Sequence, residues 1–267
     1  MEIKKSVTIG QYIPANSPIH HLDSRMKLLS AIIFMVFVFL ISNSIGYIIL
    51  LFLLLIIIYL SKIPFRYFIN GLKPILMLII FTVILQLFFT KGIEQPIVSI
   101  KFIKIYREGF GAAIFIFLRL LILVFSSSIL TLTSSPMQLT AGLEFILKPF
   151  KYIGLPVSEI SMMMTIALRF IPTILEETDR LIKAQSARGA DFESGSIFKR
   201  INNLIPILIP LFVSSFRRAD ELAIAMESRC FQVGALRTHL KVMRLQWFDY
   251  VSFILLIIIL GVISYFF

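Results

Sequence analysis

Residues Leu28–Leu60 read LLSAIIFMVFVFLISNSIGYIILLFLLLIIIYL, which is two apolar runs separated by the polar triplet Ser42–Ser44. As a single helix this stretch would be about 50 Å long, whereas the hydrocarbon core of a bilayer is about 30 Å thick. Serine and asparagine are typical turn residues, so the triplet offers a turn between two helices. The stretch therefore predicts two short crossings of a membrane, Leu28–Ile41 and Ile45–Leu60.

Three further apolar runs continue this pattern along the chain: Ile75–Phe89, Phe110–Leu132 and Trp247–Phe267. Of the 267 residues, 58% are hydrophobic and 15% are charged, whereas soluble domains carry about 25% charged residues. The single cysteine, Cys230, excludes a disulfide framework and a cysteine metal cluster. We expect an all-α integral membrane protein with about five transmembrane helices and contact with the lipid bilayer.

The positive residues predict the orientation of these helices, because lysine and arginine prefer cytoplasmic loops close to membrane spans. With five spans, 21 lysines and arginines fall on one side of the membrane and 4 on the other, while Arg119 lies within the fourth span. The side with 21 is predicted to be cytoplasmic. We therefore expect a multi-pass protein of the cell membrane with a cytoplasmic N-terminus and an external C-terminus. The net charge of +11 then reflects topology and predicts no nucleic-acid partner.

The polarity of the chain divides it into three parts. Residues 1–132 form a membrane domain of four spans, residues 133–246 form a cytoplasmic domain, and residues 247–267 form the final transmembrane helix. The stretch IKFIKI in the external loop alternates in part, which favours a small surface hairpin.

The cytoplasmic domain is predicted to consist of helices. Ser134–Pro136 would cap a first helix that ends near Pro149. Two long helices would follow, from about Val157 to Arg188 and from about Ile197 to Arg229, each kinked at internal prolines. A basic amphipathic stretch, Ala235–Gln246, would lie along the membrane surface.

The two long helices end alike. The sequence TDRLIKAQSARG begins at Thr178, and ADELAIAMESRC begins at Ala219. Two faces with the same i, i+3, i+7 spacing result, Leu181 with Ala184 and Arg188, and Leu222 with Ala225 and Arg229. Two similar arginine-tipped faces suit a partner that offers the same groove twice, with carboxylates that pair bidentately with the guanidinium. The alternative is that both are ordinary arginines favoured by the dipole at a helix end.

These ends resemble the transmembrane T component of energy-coupling factor transporters, whose coupling helices end in short Ala-Arg-Gly-like motifs. The motifs here are Ala187-Arg188-Gly189 and Ser228-Arg229-Cys230. HHLDSRMKLL resembles the family's N-terminal His-x-x-Asp-x-Arg-x-Lys signature, with Asp23, Arg25 and Lys27 in place. ALRFIPTILEE resembles its Arg-Phe-Ile-Pro segment, with Arg169 and Pro172 in place. Cys230 stands where glycine is typical, which leaves open whether the second helix has a glycine-type cap.

The resemblance implies a non-catalytic coupling subunit of an ATP-driven importer of vitamins or transition-metal ions. Such a subunit docks two cytoplasmic ABC-type ATPases through its coupling helices and holds one membrane-embedded substrate-binding S component. It binds no cofactor of its own, because the ATPases bind ATP. In agreement, the sequence contains no phosphate-cradling Gly-x-x-x-x-Gly-Lys.

Several charged residues outside the helix ends require an interpretation. An intramembrane arginine such as Arg119 is costly and suggests a function, but a structural partner such as Gln86 or Ser126–Ser128 would also explain it. His20, His21 and Asp23 favour an interfacial tether for the first span over a metal site, because adjacent histidines rarely face one ion. A further acidic cluster, Glu176, Glu177 and Asp179, is expected to pair along its own helix with Arg180 and Lys183.

Two other classes of protein remain as alternatives. A polytopic enzyme acting on lipid or isoprenoid substrates would need acidic pairs at membrane depth, but no Asp or Glu occurs between Leu28 and Phe89. A permease working alone would need a polar path, and the spans offer only Gln86, Arg119 and the Ser/Thr group at Ser126–Ser135.

Overall fold

The computed structural model describes residues 12–41, 43–90, 98–100, 103–190, 192, 196–234 and 245–266. Contacts between Cα atoms divide the chain into two compact units. The first, here called the membrane unit, comprises Ile9–Ile146 and Val242–Phe267. The second, here called the long-helix unit, comprises the described residues of Leu147–Lys241.

In its described residues, the membrane unit is helical apart from one small hairpin. Its elements in chain order are α1 (Pro18–His21), α2 (Ser24–Leu40), α3 (Ser44–Ser61), α4 (Phe65–Phe89), β1 (Val98–Ile100), β2 (Ile103–Ile105), α5 (Arg107–Thr133), α6 (Pro136–Leu147) and, after the long-helix unit, α9 (Trp247–Phe266). The interruption between α2 and α3 falls at the predicted polar triplet, of which Ser42 lies outside the described residues. The predicted hairpin is confirmed, since β1 and β2 pair antiparallel with Val98 opposite Ile105.

The core of the membrane unit is built around α3. Tyr47, Leu50, Leu54 and Ile58 recur every three or four residues on α3 and are at most 6% exposed. They belong to one apolar cluster with Phe68 of α4, Ile122 and Phe125 of α5, and Leu260 of α9. A helix buried on one face and apolar on the others fits a position between neighbouring helices and lipid.

Five helices of the described structure are long and apolar enough to cross a membrane, and the all-α membrane fold is confirmed. These helices are α3, α4, α5, α9 and α7, the last of which (Val157–Ala187) belongs to the long-helix unit. The predicted first span, α2, has 17 residues, at the lower limit for a crossing. The sequence had not assigned α7 to the membrane, and α7 carries seven charged residues against two on α2. Charge therefore favours α2 over α7 as a crossing.

Helix α6 packs within the membrane unit. It begins with a capping box, since the Ser135 N–H donates to Gln138 Oε1 over 2.9 Å and the Gln138 N–H donates to Ser135 Oγ over 3.3 Å. Gly142 approaches α2 so closely that a Cβ there would lie 3.1 Å from the Ser24 carbonyl oxygen. The Arg25 guanidinium lies 5.4 Å from the Phe145 ring centroid. The membrane unit thus includes α6 as far as Ile146, and the predicted division of the chain at residue 133 stays a prediction.

Where it is described, the long-helix unit consists of a 3-10 helix, Lys148–Ile153, followed by α7 (Val157–Ala187) and α8 (Ile197–Glu227). Each long helix has 31 residues, about 46 Å of helix. Both end within two residues of the predicted ends. Pro172 lies inside α7, and Pro206 and Pro210 lie inside α8. The predicted kinks at these prolines stay predictions, and most of the predicted surface stretch Ala235–Gln246 lies outside the described residues.

Candidate functional site

The end of α7 has the geometry of a Schellman cap. Gly189 has a φ of +87°, in the left-handed region. Its N–H donates to the Ser186 carbonyl over 3.0 Å, and the Ala190 N–H donates to the Gln185 carbonyl over 3.0 Å. These two bonds satisfy carbonyls that the helix leaves free at its end. Arg188 is the last residue before the left-handed position.

The end of α8 repeats this geometry with cysteine in place of glycine. Cys230 has a φ of +57°. Its N–H donates to the Glu227 carbonyl over 2.9 Å, and the Phe231 N–H donates to the Met226 carbonyl over 3.0 Å. A left-handed conformation costs a non-glycine residue roughly 1–2 kcal/mol. The question that Cys230 left open is therefore answered, because the cap forms without glycine.

The two caps place Arg188 and Arg229 at the same position of the same motif, and both side chains are exposed. Among the other residues of the predicted faces, Ala184 and Ala225 are exposed, while Leu181 and Leu222 are half-buried. Ala187 and Ser228, which precede the arginines, are also exposed. Each face thus presents small residues and an arginine to solvent, with a leucine partly covered behind them.

An ion pair connects α7 to α8. Glu177 Oε2 accepts from Arg218 Nη2 over 2.6 Å, and Glu177 Oε1 accepts from Ser214 Oγ over 2.5 Å. The side chains of Arg218 and Glu177 are 32% and 25% exposed. The prediction that Glu177 pairs along α7 with Arg180 or Lys183 was wrong. The partly buried position between the helices explains the difference, because a carboxylate withdrawn from water needs strong donors nearby.

The N-terminal signature is tied to distant elements of the membrane unit. Asp23 caps α2, since its Oδ1 accepts from the Arg25 N–H over 2.9 Å. The Asp23 N–H donates over 2.8 Å to Oδ1 of Asp249, whose Oδ2 accepts from the Gln246 N–H over 2.8 Å. Lys27 Nζ donates to the carbonyls of His20 and Thr133, each over 3.1 Å. These contacts join the beginning of α2 to α1, α5 and α9.

The two histidines of the signature are occupied by local contacts. His20 Nδ1 lies 2.6 Å from Ser17 Oγ and its Nε2 lies 3.0 Å from the Ile13 carbonyl oxygen. His21 Nε2 lies 2.6 Å from Asn16 Oδ1. Burial lowers the pKa of His20, which favours the neutral ring. Within the described ranges no group of three or more His, Cys, Asp or Glu side chains is arranged to hold a metal ion.

Arg119 finds its partners on α2 and α3. Its Nε donates to the Tyr47 hydroxyl over 2.8 Å, and that hydroxyl donates to the Val38 carbonyl over 3.1 Å. The guanidinium carbon lies 5.4 Å from the Phe39 ring centroid and 5.8 Å from that of Tyr47. The partner is thus Tyr47 and not Gln86 or Ser126–Ser128. Tyr47, a side chain with a polar hydroxyl near the start of a largely aliphatic span, was the signal that sequence reasoning missed.

The remaining predicted residues lie on α7. Arg169 and Pro172 are both exposed there. They lie more than one helical turn from Glu177 and further from Arg188. The structure therefore brings neither of them to the arginine-tipped helix end.

The architecture defines a class, a polytopic helical membrane protein that carries a pair of long helices with matching arginine-tipped ends. The CbiQ family model, described as cobalt transport protein, matches residues 15–240. Three relatives bear the name energy-coupling factor transporter transmembrane protein EcfT. The Clostridium kluyveri protein is 50% identical over 248 residues, covering 93% of this chain and 92% of the relative. The Brevibacillus brevis protein is 48% identical over 261 residues, and the Thermosediminibacter oceani protein is 48% identical over 250, covering 98% and 94% of both chains respectively.

The chain belongs to the EcfT family and is the transmembrane component of an energy-coupling factor transporter. The family predicted from the two arginine motifs and the N-terminal signature is thereby confirmed. The chain is a multi-pass membrane protein and a non-catalytic transporter subunit, not an enzyme. The alternative of a lipid-modifying membrane enzyme is set aside for the same reason.

Proposed function

We propose that this chain docks two cytoplasmic ABC-type ATPases through the ends of α7 and α8 and transmits their motion to a membrane-embedded S component. The observation that carries the proposal is the matched pair of caps, which hold Arg188 and Arg229 in equivalent, exposed positions. Two copies of one docking motif suit two copies of one kind of groove. A pair of related ATPases provides such grooves.

Arginine suits this position for a physical reason. The Schellman bonds fix the backbone on both sides of each arginine, so the side chain projects from a rigid helix end. A planar guanidinium that enters a groove can pair with a carboxylate through two parallel hydrogen bonds. Ala184 and Ala225, one helical turn earlier, leave room for the partner surface to approach.

An exposed apolar surface on α8 is evidence for a second binding partner, located within the membrane. Its members are 44% to 82% exposed and follow a helical repeat: Phe198, Ile201, Ile205, Ile209, Phe212 and Phe216. The rings of Phe212 and Phe216 stack with their centroids 6.1 Å apart. Contiguous exposed apolar surface of this kind marks a protein or membrane contact. We infer that it receives the S component, which determines whether a vitamin or a transition-metal ion is imported.

The ATPases bind ATP, and this chain is proposed to need no cofactor. The sequence supports that division of labour because it lacks a phosphate-binding loop. The proposed orientation, with the N-terminus in the cytoplasm and the C-terminus outside, rests on the distribution of 21 and 4 positive residues across the membrane.

Substitution of the two arginines tests the docking proposal. Removing one partner of a desolvated charge pair typically costs about 2–5 kcal/mol. Arg188→Ala or Arg229→Ala alone should weaken assembly and leave one end engaged. The double substitution should lose most of it, because two tethered contacts reinforce each other through effective concentration. The measurements are co-purification of the ATPases and substrate uptake into vesicles.

Two control variants show whether the loss of assembly is specific to the arginines at the helix ends. Arg217→Ala removes an exposed arginine of α8 whose Nε lies 3.9 Å from Glu221 Oε1 and should leave assembly unchanged. Arg188→Lys keeps the charge without the planar fork and should restore function only in part. Wild-type assembly and uptake by the double alanine variant would mean that both arginines are ordinary helix ends.

A further inference from the structure

The Glu177–Arg218 ion pair joins equivalent positions of the two repeated helix ends. The two residues are 41 positions apart, which is also the separation of Arg188 and Arg229. Each therefore lies eleven residues before the arginine at the end of its own helix. The coincidence is specific, because Arg180 and Lys183 lie closer along α7 and are not the partner of Glu177.

A contact between equivalent residues has a geometric meaning. The ion pair joins the two helices at one point that lies the same number of residues from each arginine-tipped end. Eleven residues correspond to about 16 Å of helix, so the two arginine-tipped ends are equally far along their helices from this point.

The surroundings of the carboxylate support this view. Ser214, one helical turn before Arg218, donates to the second oxygen of Glu177, so both oxygens are held by α8. Thr173 occupies the position on α7 equivalent to Ser214 and is exposed. Helix α7 thus carries a hydroxyl at the sequence position equivalent to Ser214.

We propose that the Glu177–Arg218 pair is the pivot of the two long helices, a positioning contact that keeps the arginine-tipped ends at equal lever arms. The inference rests on the proposed function, in which those ends follow the ATPases. Held at one point, the helices change their mutual angle without sliding along each other. Closure of the ATPases is then converted into a defined rotation of α8 and its apolar surface. Without the pivot, part of the motion is lost as sliding.

The first test separates coupling from assembly. Glu177→Gln and Arg218→Gln are compared, in the complete transporter, with the matched control Arg217→Gln, whose pair with Glu221 is 77% and 70% exposed and lies within α8. Co-purification of the ATPases should be retained in all three. Uptake per ATP hydrolysed should fall roughly 2- to 30-fold in the first two, the range that single residues between coupled sites produce, and should not fall in the control.

The second test exchanges the two charges. In the double variant Glu177→Arg with Arg218→Glu, Thr173 lies one turn before the new arginine, as Ser214 lies one turn before Arg218. Uptake per ATP hydrolysed should return toward that of the wild type. A merely structural ion pair that depends on its particular surroundings would not be rescued in this way.

Three results would overturn the pivot. The first is loss of assembly by Glu177→Gln, which would make the pair a folding determinant. The second is an unchanged ratio of uptake to ATP hydrolysis in Glu177→Gln and Arg218→Gln. The third is an exchanged double variant whose ratio is no better than that of the single variants. Failure of the docking proposal is recognised separately, by wild-type assembly of the Arg188→Ala and Arg229→Ala double variant.

Discussion

At the scale of single residues, Cys230 has a backbone conformation that is unfavourable for a residue other than glycine. It adopts a left-handed conformation that its counterpart Gly189 adopts freely. Relief of strain by Cys230→Gly is partly offset by the greater entropy of glycine in the unfolded chain. We expect a net gain of about 0.5–1 kcal/mol, seen as a higher midpoint of thermal unfolding of the purified complex.

Gly189→Ala is the matched opposite of this substitution. Nothing lies within 4 Å of a Cβ added at Gly189, so the substitution tests backbone strain without a clash. The midpoint should fall by a similar amount. If both substitutions shift it in the same direction, the cap geometry does not govern the stability of these ends.

Arg119 gives a second prediction at this scale. Tyr47→Phe removes the hydroxyl that accepts from Arg119 and donates to Val38, and Tyr47 is fully buried. Leaving the half-buried Arg119 donor and the buried Val38 carbonyl without that partner costs about 1–3 kcal/mol. The thermal midpoint in detergent should fall, whereas Tyr59→Phe, at a residue 84% exposed, should leave it unchanged. Equal effects of the two variants would contradict a structural role for the hydroxyl.

At the scale of elements, Asp249 joins the final helix to the N-terminal signature. It is 3% exposed and accepts from two backbone N–H groups, those of Asp23 and Gln246. Asp249→Ala leaves both donors without their acceptor and should lower stability by about 2–5 kcal/mol. Asp249→Asn keeps one acceptor oxygen and should lower it less. Equal thermal midpoints for alanine and wild type would show that α9 is held by apolar packing alone.

Helix ends were predictable where their signals are local. The ends of α7 and α8 follow from Gly189, from the repeat of the arginine motif and from prolines tolerated inside amphipathic stretches. The capping box at Ser135 and Gln138 was recognisable in the same way. Such features involve residues within a few positions of each other, so a single sequence contains them.

Contacts between elements were not predictable in this way. Glu177 with Arg218, and Arg119 with Tyr47, join residues 41 and 72 positions apart. The partner of each of these charged side chains depends on which faces of two helices meet. Several polar residues nearby in the sequence were equally good candidates for that partner. Gly142 of α6 shows the same limit, because its close approach to α2 is a property of packing and not of composition.

At the scale of the whole molecule, the prediction to be tested is which helices cross the membrane. In the proposed topology α2 crosses and α7 does not, although α7 has 31 residues and α2 has 17. Single cysteines at Ser99, Tyr152, Val233 and Tyr265, in a Cys230→Ser background, distinguish the two arrangements. Tyr152, Val233 and Tyr265 are 96%, 80% and 86% exposed, so reagent reaches them if their side of the membrane is accessible.

An impermeant thiol reagent added to intact cells should label positions 99 and 265 and spare 152 and 233. The reason is the charge of the segment before α9, which holds most of the positive residues and is therefore retained in the cytoplasm. If α7 crossed in place of α2, position 233 would move to the side of position 99 and position 265 to the opposite side. Labelling at 233 with protection at 265 would thus refute the proposed topology, and would place the end of α8 where no cytoplasmic ATPase can reach Arg229.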